Sequence, residues 1–188
     1  MTRTPILLSF EEYLNYDDGT DRRYELEDGR LIPMTLSPIH IAIARFLFRQ
    51  LDREIADREL DREVFWDMGV RTGVSKSRLP DITVVEGEQW RSLRRSASVA
   101  VLEVPSLLAV EIVSPGEENR NRDYSAKRTE YEERGIKEYW IVDPIENKVT
   151  VLNLVGGLYK ETVFTGNQRI VSRVFPELVL TAEQILSA

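Results

Sequence analysis

The stretch Leu107-Leu108-Ala109-Val110-Glu111-Ile112-Val113-Ser114-Pro115 holds one carboxylate in a run of apolar side chains. Apolar residues fill both alternating positions, so residues 107–113 read as a strand buried on both faces. Alternation puts Glu111 on the face of Leu107, Ala109 and Val113. A carboxylate there loses much of its hydration, which is costly unless a cation meets it. Fold and chemistry both turn on that partner.

Downstream, residues 117–134 read as a charged helix stopped at Gly135. Residues 137–142 form a second apolar strand, closed by Asp143-Pro144. Strand, helix and strand in that order predict a crossover joining parallel strands. Residues 148–154 and 157–165 then read as a meander turning at Gly156-Gly157, and a last helix begins near Thr181.

Upstream, Ser9 with Glu12 three positions on forms a capping box for a short helix over 9–16. Tyr24, Leu26, Leu31 and Ile32 flank Glu27-Asp28-Gly29, the pattern of a hairpin with an Asp-Gly turn. Glu25 sits in its first strand, on the face opposite Tyr24 and Leu26. Ile39, Ile43, Leu47, Leu51 and Ile55 recur every four residues, which predicts a helix over 37–58 with Ser37 as its N-cap and Pro38 in its first turn. Residues 63–71 and 79–85 read as two strands joined by a Gly/Ser/Lys turn. Residues 87–105, rich in arginine, read as a flap or a surface helix. The expected fold class is α/β (α+β), a mixed sheet flanked by helices, in one domain spanning 1–188.

Composition narrows the chemistry. A chain of 188 residues, 42% hydrophobic and 30% charged, is long enough for a real core. No stretch approaches the roughly 18 apolar residues of a membrane span. The N-terminal apolar patch is too short for a signal peptide, so a cytoplasmic location is expected. There is no cysteine and one histidine, His40, which excludes thiolate sites and sites built from several imidazoles. A bound metal would be held mainly by oxygen, which favours magnesium, manganese or calcium. A net charge of −7 argues against coating nucleic acid by charge alone, though not against one basic groove.

Asp81 opens a strand in Arg78-Leu79-Pro80-Asp81-Ile82. If that strand neighbours the one carrying Glu111, the two carboxylates converge. At about 4 Å they would repel by roughly 4 kcal/mol at an effective dielectric near 20, and a divalent cation reverses the sign. Asp81, Glu111 and the backbone carbonyl of Ile112 would make a three-oxygen cradle. Tyr124, Lys127 and Tyr131 share one face of the next helix, from which Lys127 could reach the cation's water. Glu25 could hold a metal-bound water. Each has a plainer reading: Asp81 as a turn cap, Glu111 paired with Lys127 or Arg128, Lys127 solvated, and Glu25 in a cross-strand pair with Arg22 or Arg23. His40 would contact water or substrate near the site, or simply pack at its helix cap. No nucleotide-binding glycine loop and no Gly-x-Ser-x-Gly elbow is present.

The segments RYELEDGRLIPM, SPIH, RLPDITVV, LLAVEIVSP and KRTEYEERGIKEYWIVDP, in this order, resemble the Uma-type family of restriction endonucleases, whose core is the PD-(D/E)XK nuclease fold. The likeness covers roughly residues 9–155, leaving C-terminal strands and a helix over 156–188. It implies a metal-dependent phosphodiesterase using Mg2+ or Mn2+, with Asp81 and Glu111 as ligands and Glu25 matching the early glutamate of the fold. Val113 stands where the usual lysine would be, and Lys127 on the next helix matches its displaced place. Tyr131 and Asp143 match the family pattern as structural residues. DNA is the implied substrate, approaching along Arg91, Arg94, Arg95, Arg120, Arg122 and Arg128, and a homodimer is expected by analogy. Two rival readings remain: a non-catalytic binding module on the same fold, and a metal-free hydrolase using the carboxylate pair, with Trp66 and Trp90 as platforms and Trp140 buried.

Overall fold

The computed structural model describes residues 7–20, 22–34, 36–97 and 99–188. Ile6, the first residue of the N-terminal apolar patch read from sequence as too short for a signal peptide, falls outside the described residues. Helix α1 (Phe10–Leu14) starts at Ser9 with the expected capping box to Glu12. Strands β1 (Tyr24–Glu27) and β2 (Arg30–Pro33) form the expected hairpin. Asp28 and Gly29 turn it with φ of 47° and 81°, the left-handed pair that a two-residue turn demands. Helix α2 (Pro38–Asp57) begins at Ser37, whose hydroxyl accepts the His40 N–H.

Strand β3 (Arg62–Phe65), β4 (Gly69–Gly73), β5 (Lys76–Arg78) and β6 (Ile82–Glu86) come next, then α3 (Gly87–Ser96) and β7 (Val101–Leu102). The quoted stretch gives β8 (Leu108–Ile112). Helix α4 (Glu117–Asn121), a π-helical stretch Arg122–Lys127 and α5 (Arg128–Arg134) lead to β9 (Glu138–Asp143), β10 (Lys148–Val155), β11 (Leu158–Thr165) and α6 (Ala182–Leu186). The arginine-rich stretch is therefore a helix followed by a short strand.

The fold is mixed α/β, but with two mixed sheets in place of the single one expected. One sheet runs β2-β1-β5-β4-β7 and the other β11-β10-β9-β8-β6-β3. The strand expected over 63–71 breaks to serve both. Val64 points into one core, while Met68 and Val70 point into the other, so the chain bends between Phe65 and Gly69. The strand-helix-strand unit does join parallel strands, β8 and β9, in register Glu111↔Ile141.

The helix expected over 117–134 is not uniform. A π-helical stretch closes its hydrogen bonds over five residues and shifts the phase of the turns beyond it. Tyr124 donates its hydroxyl to Asp143, while Tyr131 donates to Glu111. The two faces of β8 meet different cores. Leu108, Val110 and Ile112 pack with Ile43, Leu47 and Leu51 of α2. Ala109 and Val113 pack with Tyr131, Ile136 and Tyr139. Leu107, just ahead of the strand, joins the α2 side and not the Glu111 face as alternation predicted. Each fully buried leucine on α2 contributes about 1.5–3 kcal/mol. Among the described residues, no helix is long and apolar enough to cross a membrane.

Candidate active site

Strands β6 and β8 are antiparallel neighbours, in register Ile82↔Val110. Asp81, at the head of β6, therefore sits beside the end of β8. Its Oδ2 accepts the Ile112 N–H at 2.7 Å. Extending the register sets Pro80 across from Ile112. Both backbone polar groups of a residue in an antiparallel strand point to the same neighbour. The Ile112 carbonyl thus faces the Asp81 side, where Pro80 has no N–H to give it. This is a physical reason for proline before the aspartate: it leaves a carbonyl oxygen without its ladder donor.

His40 arrives from the first turn of α2. Its Nε2 lies 2.6 Å from Asp81 Oδ1, and its Nδ1 lies 3.3 Å from Ser114 Oγ. Both oxygens of Asp81 are thus oriented, one by a backbone amide and one by an imidazole. Asp81 and His40 are both buried.

Glu111 is 3% exposed. Tyr131 donates its hydroxyl to Oε1 at 2.6 Å, and the Lys127 ammonium lies 2.8 Å from Oε2. Lys127 also sits 3.0 Å from Glu25 Oε1 and 3.7 Å from Asp123 Oδ1. Glu25 accepts the Leu79 N–H at 3.1 Å and lies 3.2 Å from Arg78 Nη1. Arg78, wholly buried, also binds Glu130 through two nitrogens at 2.6 and 2.8 Å and reaches Glu27 at 2.8 Å. Buried lysine and arginine are here held in place by the carboxylates around them.

The electrostatics follow from this layout. Burial pushes the Glu111 carboxyl up to about 8 against the pull of Lys127, with Asp81, Asp123 and Glu25 adding to the rise. Burial also raises Asp123, against Lys127 and Arg122. Burial works against the charge of Lys127, but Glu111, Glu25 and Asp123 outweigh it and keep the ammonium protonated. For Glu25, burial is outweighed by Lys127 and Arg78, so its carboxyl is held below the ordinary range.

A cavity of about 60 Å3 opens among His40, Asp81, Glu111, Ser114, Arg122, Asp123 and Lys127. Of the residues picked out from sequence, it gathers Asp81, Glu111, Lys127, His40 and Ile112. Glu25 is not among those that line it; its oxygens are taken by Lys127, Leu79 and Arg78, so it braces the lysine. Arg91 pairs with Asp61 and Glu88, Arg95 with Glu88, and Arg94 lies over Trp90, all on or against α3 and outside the cavity wall. Arg120 is spent on Asp143 and Glu146, and Arg128 on Glu161. Of that arginine group only Arg122 lines the cavity.

Sequence reading gave no role to Asp123, Ser114 or Arg78. Asp123 had a signal, an acid four residues before Lys127, where a helix brings the two together. Arg78 had only its place two residues before Pro80. The long-range pairing of Arg78 with Glu130 has no local trace.

The donor set fits a hard divalent cation. Buried Asp123 Oδ1 has no hydrogen-bond partner among the described residues, and Ile112 lines the same cavity. A carboxylate that burial, helped by neighbouring carboxylates, drives to bind a proton is one that would also gain from a metal. No group of three carboxylate or imidazole ligands is already drawn together among the described residues. Loading would therefore draw Asp81 Oδ1 or Glu111 Oε2 away from its present partner.

Three comparisons place the chain. No curated protein matches it. A crystal structure of "a putative nuclease belonging to DUF820" from Anabaena variabilis shares the fold, with a TM-score of 0.77 over 96% of this chain and 98% of that one at 18% identity. A family model named Uma2, described as "Putative restriction endonuclease", matches residues 10–183. With that match covering nearly its whole length, the chain belongs to the Uma2 family of restriction endonuclease-like proteins.

Proposed function

We propose that the protein is a divalent-metal-dependent endonuclease that hydrolyses phosphodiester bonds of DNA. One observation carries this reading: Asp81 and Glu111, from different strands, open on one buried cavity together with Lys127. Asp81, Glu111 and the Ile112 carbonyl would hold Mg2+ or Mn2+, with Asp123 as a further oxygen donor. When bound, the ion supplies a Lewis acid for the phosphoryl oxygen and a more acidic water.

The chain's own groups do the rest. His40 and the Ile112 amide fix the two oxygens of Asp81, and Tyr131 fixes Glu111. Lys127, kept charged by its carboxylates, directs a proton of Nζ at the attacking water or the phosphate oxygen. It serves as the lysine that Val113 displaces from the strand. Arg122, at the cavity wall, adds positive charge for the phosphate. In this reading the enzyme acts in the cytoplasm as a homodimer.

Plasmid and single-stranded DNA should be cut with added manganese, and cutting should vanish with chelator. Asp81→Asn should lower the rate by roughly a hundredfold or more, the scale of losing an electrostatic contact at the reacting group. Undiminished cutting by that variant would assign the activity to a contaminant.

One observation favours a second reading, a binding module without catalysis. Lys127 already supplies a positive charge to Glu111 at 2.8 Å, where a cation would otherwise be required. Calorimetry separates the two, since the module would show no heat with millimolar manganese.

A further inference from the structure

A second pocket, of about 450 Å3, lies against the first. Met34, Leu36 and Asp81 line both. Its other walls include Ile41, Trp66 and Pro80. Trp66 occupies the bend between β3 and β4 and is 55% exposed. Its ring is not loose: Phe48 of α2 stands behind it, with ring centroids 4.6 Å apart. Leu36 and Ile41 are also about half exposed, at 53% and 52%. An indole, an isoleucine and a leucine facing solvent around one hollow form a patch that the folded core does not use.

The rim carries two guanidiniums and two carboxylates, those of Arg23, Arg45, Asp67 and Asp81. Arg45 is exposed on α2, one turn beyond Ile41, and Arg23 is held in place by Asp67 at 2.9 Å. Concave apolar walls, an aromatic platform and the exposed Arg45 suit a flat ring attached to a phosphate chain.

We propose that this pocket takes one unpaired nucleobase of the strand being cut, so that single-stranded nucleic acid is the preferred substrate. The inference rests on the nuclease reading for the neighbouring phosphate site, and the shared wall at Asp81 links the two. A base in a duplex is stacked on both faces and cannot enter a hollow; an unpaired base can stack on the Trp66 indole. Arg45 then meets an adjoining phosphate.

Binding can be read with chelator present, so that no cleavage intervenes. The probes are a twelve-nucleotide oligothymidylate, the same length of abasic strand, and a duplex of that length, followed by fluorescence anisotropy. Wild-type protein should bind the oligothymidylate more tightly than the other two. Trp66→Ala should weaken it about five- to hundredfold, the span expected for one base stacked on an aromatic ring. Trp66→Phe, which keeps a ring over Phe48, should restore most of the affinity. Equal binding of the abasic strand, or of the duplex, would overturn the proposal. So would unchanged oligothymidylate affinity in Trp66→Ala. Failure of the nuclease reading looks different: Trp66-dependent binding would persist, while wild-type protein with manganese cut nothing.

Discussion

The two faces of β8 solve different problems. Toward α2, Leu108, Val110 and Ile112 pack into an apolar cluster with Ile43, Leu47 and Leu51. Toward α5, the same strand carries Glu111 into a layer where Lys127, Glu25, Arg78, Glu130 and Asp123 are all buried. The first face holds the fold together by removing apolar area from water. The second is a chain of charges, each tolerable only because the next is in place. That contrast teaches where the fold can be altered cheaply and where it cannot. Trimming the apolar face leaves a cavity; removing one link of the charged face strands the others.

The largest effect should come from the charged face. Arg78→Met removes the guanidinium that holds Glu25, Glu27 and Glu130, and breaking a buried ionic cluster from one side costs about 3–5 kcal/mol. Urea unfolding would measure it, and a loss under about 1 kcal/mol, the scale of an exposed pair, would mean that the cluster is not coupled as drawn. On the apolar face, Leu47→Ala should cost about 3 kcal/mol through transfer and cavity terms together. That variant should leave the cavity around Asp81 and Glu111 intact, so cleavage per folded molecule should be unchanged. A matching loss of activity would show that the two faces are mechanically linked.

The smallest of the three is a pH effect. Burial tends to raise Glu130, but hydrogen bonds from Arg78 and the nearby Arg78 charge outweigh it and hold the carboxyl below its usual 4.5. The unfolded chain therefore binds this proton at higher pH than the folded one does. Stability from Glu130 is fully present above the ordinary carboxylate range and is lost as pH falls through the lowered folded value. Glu130→Gln should be less stable at neutral pH, with a flatter acid limb in stability against pH. An acid limb as steep as that of the wild type would place the titration elsewhere.

Much of this was legible in the sequence. Local signals found α1, the β1–β2 hairpin, α2 and the meander of β10 and β11, because caps, Asp-Gly turns and four-residue periodicity act over short range. The pairing of β6 with β8, and with it the meeting of Asp81 and Glu111, was an expectation conditional on strand order, and the structure supplies that order. The break between β3 and β4 was not visible, since Val64, Met68 and Val70 keep one apolar alternation while entering two cores. Nor was the π-helical stretch, which leaves composition unchanged. Among the partners of the α3 arginines, Glu88 lies one turn before Arg91 and was legible, whereas Asp61 meets Arg91 only through the fold. The cluster at Arg78 is longest in range, linking β5 to β1 and to α5, and no local pattern announces it.

The central claim is that residues 81 and 111 jointly bind one divalent ion. Crystals soaked in manganese, with anomalous scattering recorded at the metal edge, test it most directly. The expected result is a single strong peak bounded by Asp81, Glu111 and the Ile112 carbonyl, lost in Asp81→Asn. A protein that takes up no manganese there, or carries its peak away from both carboxylates, would contradict it.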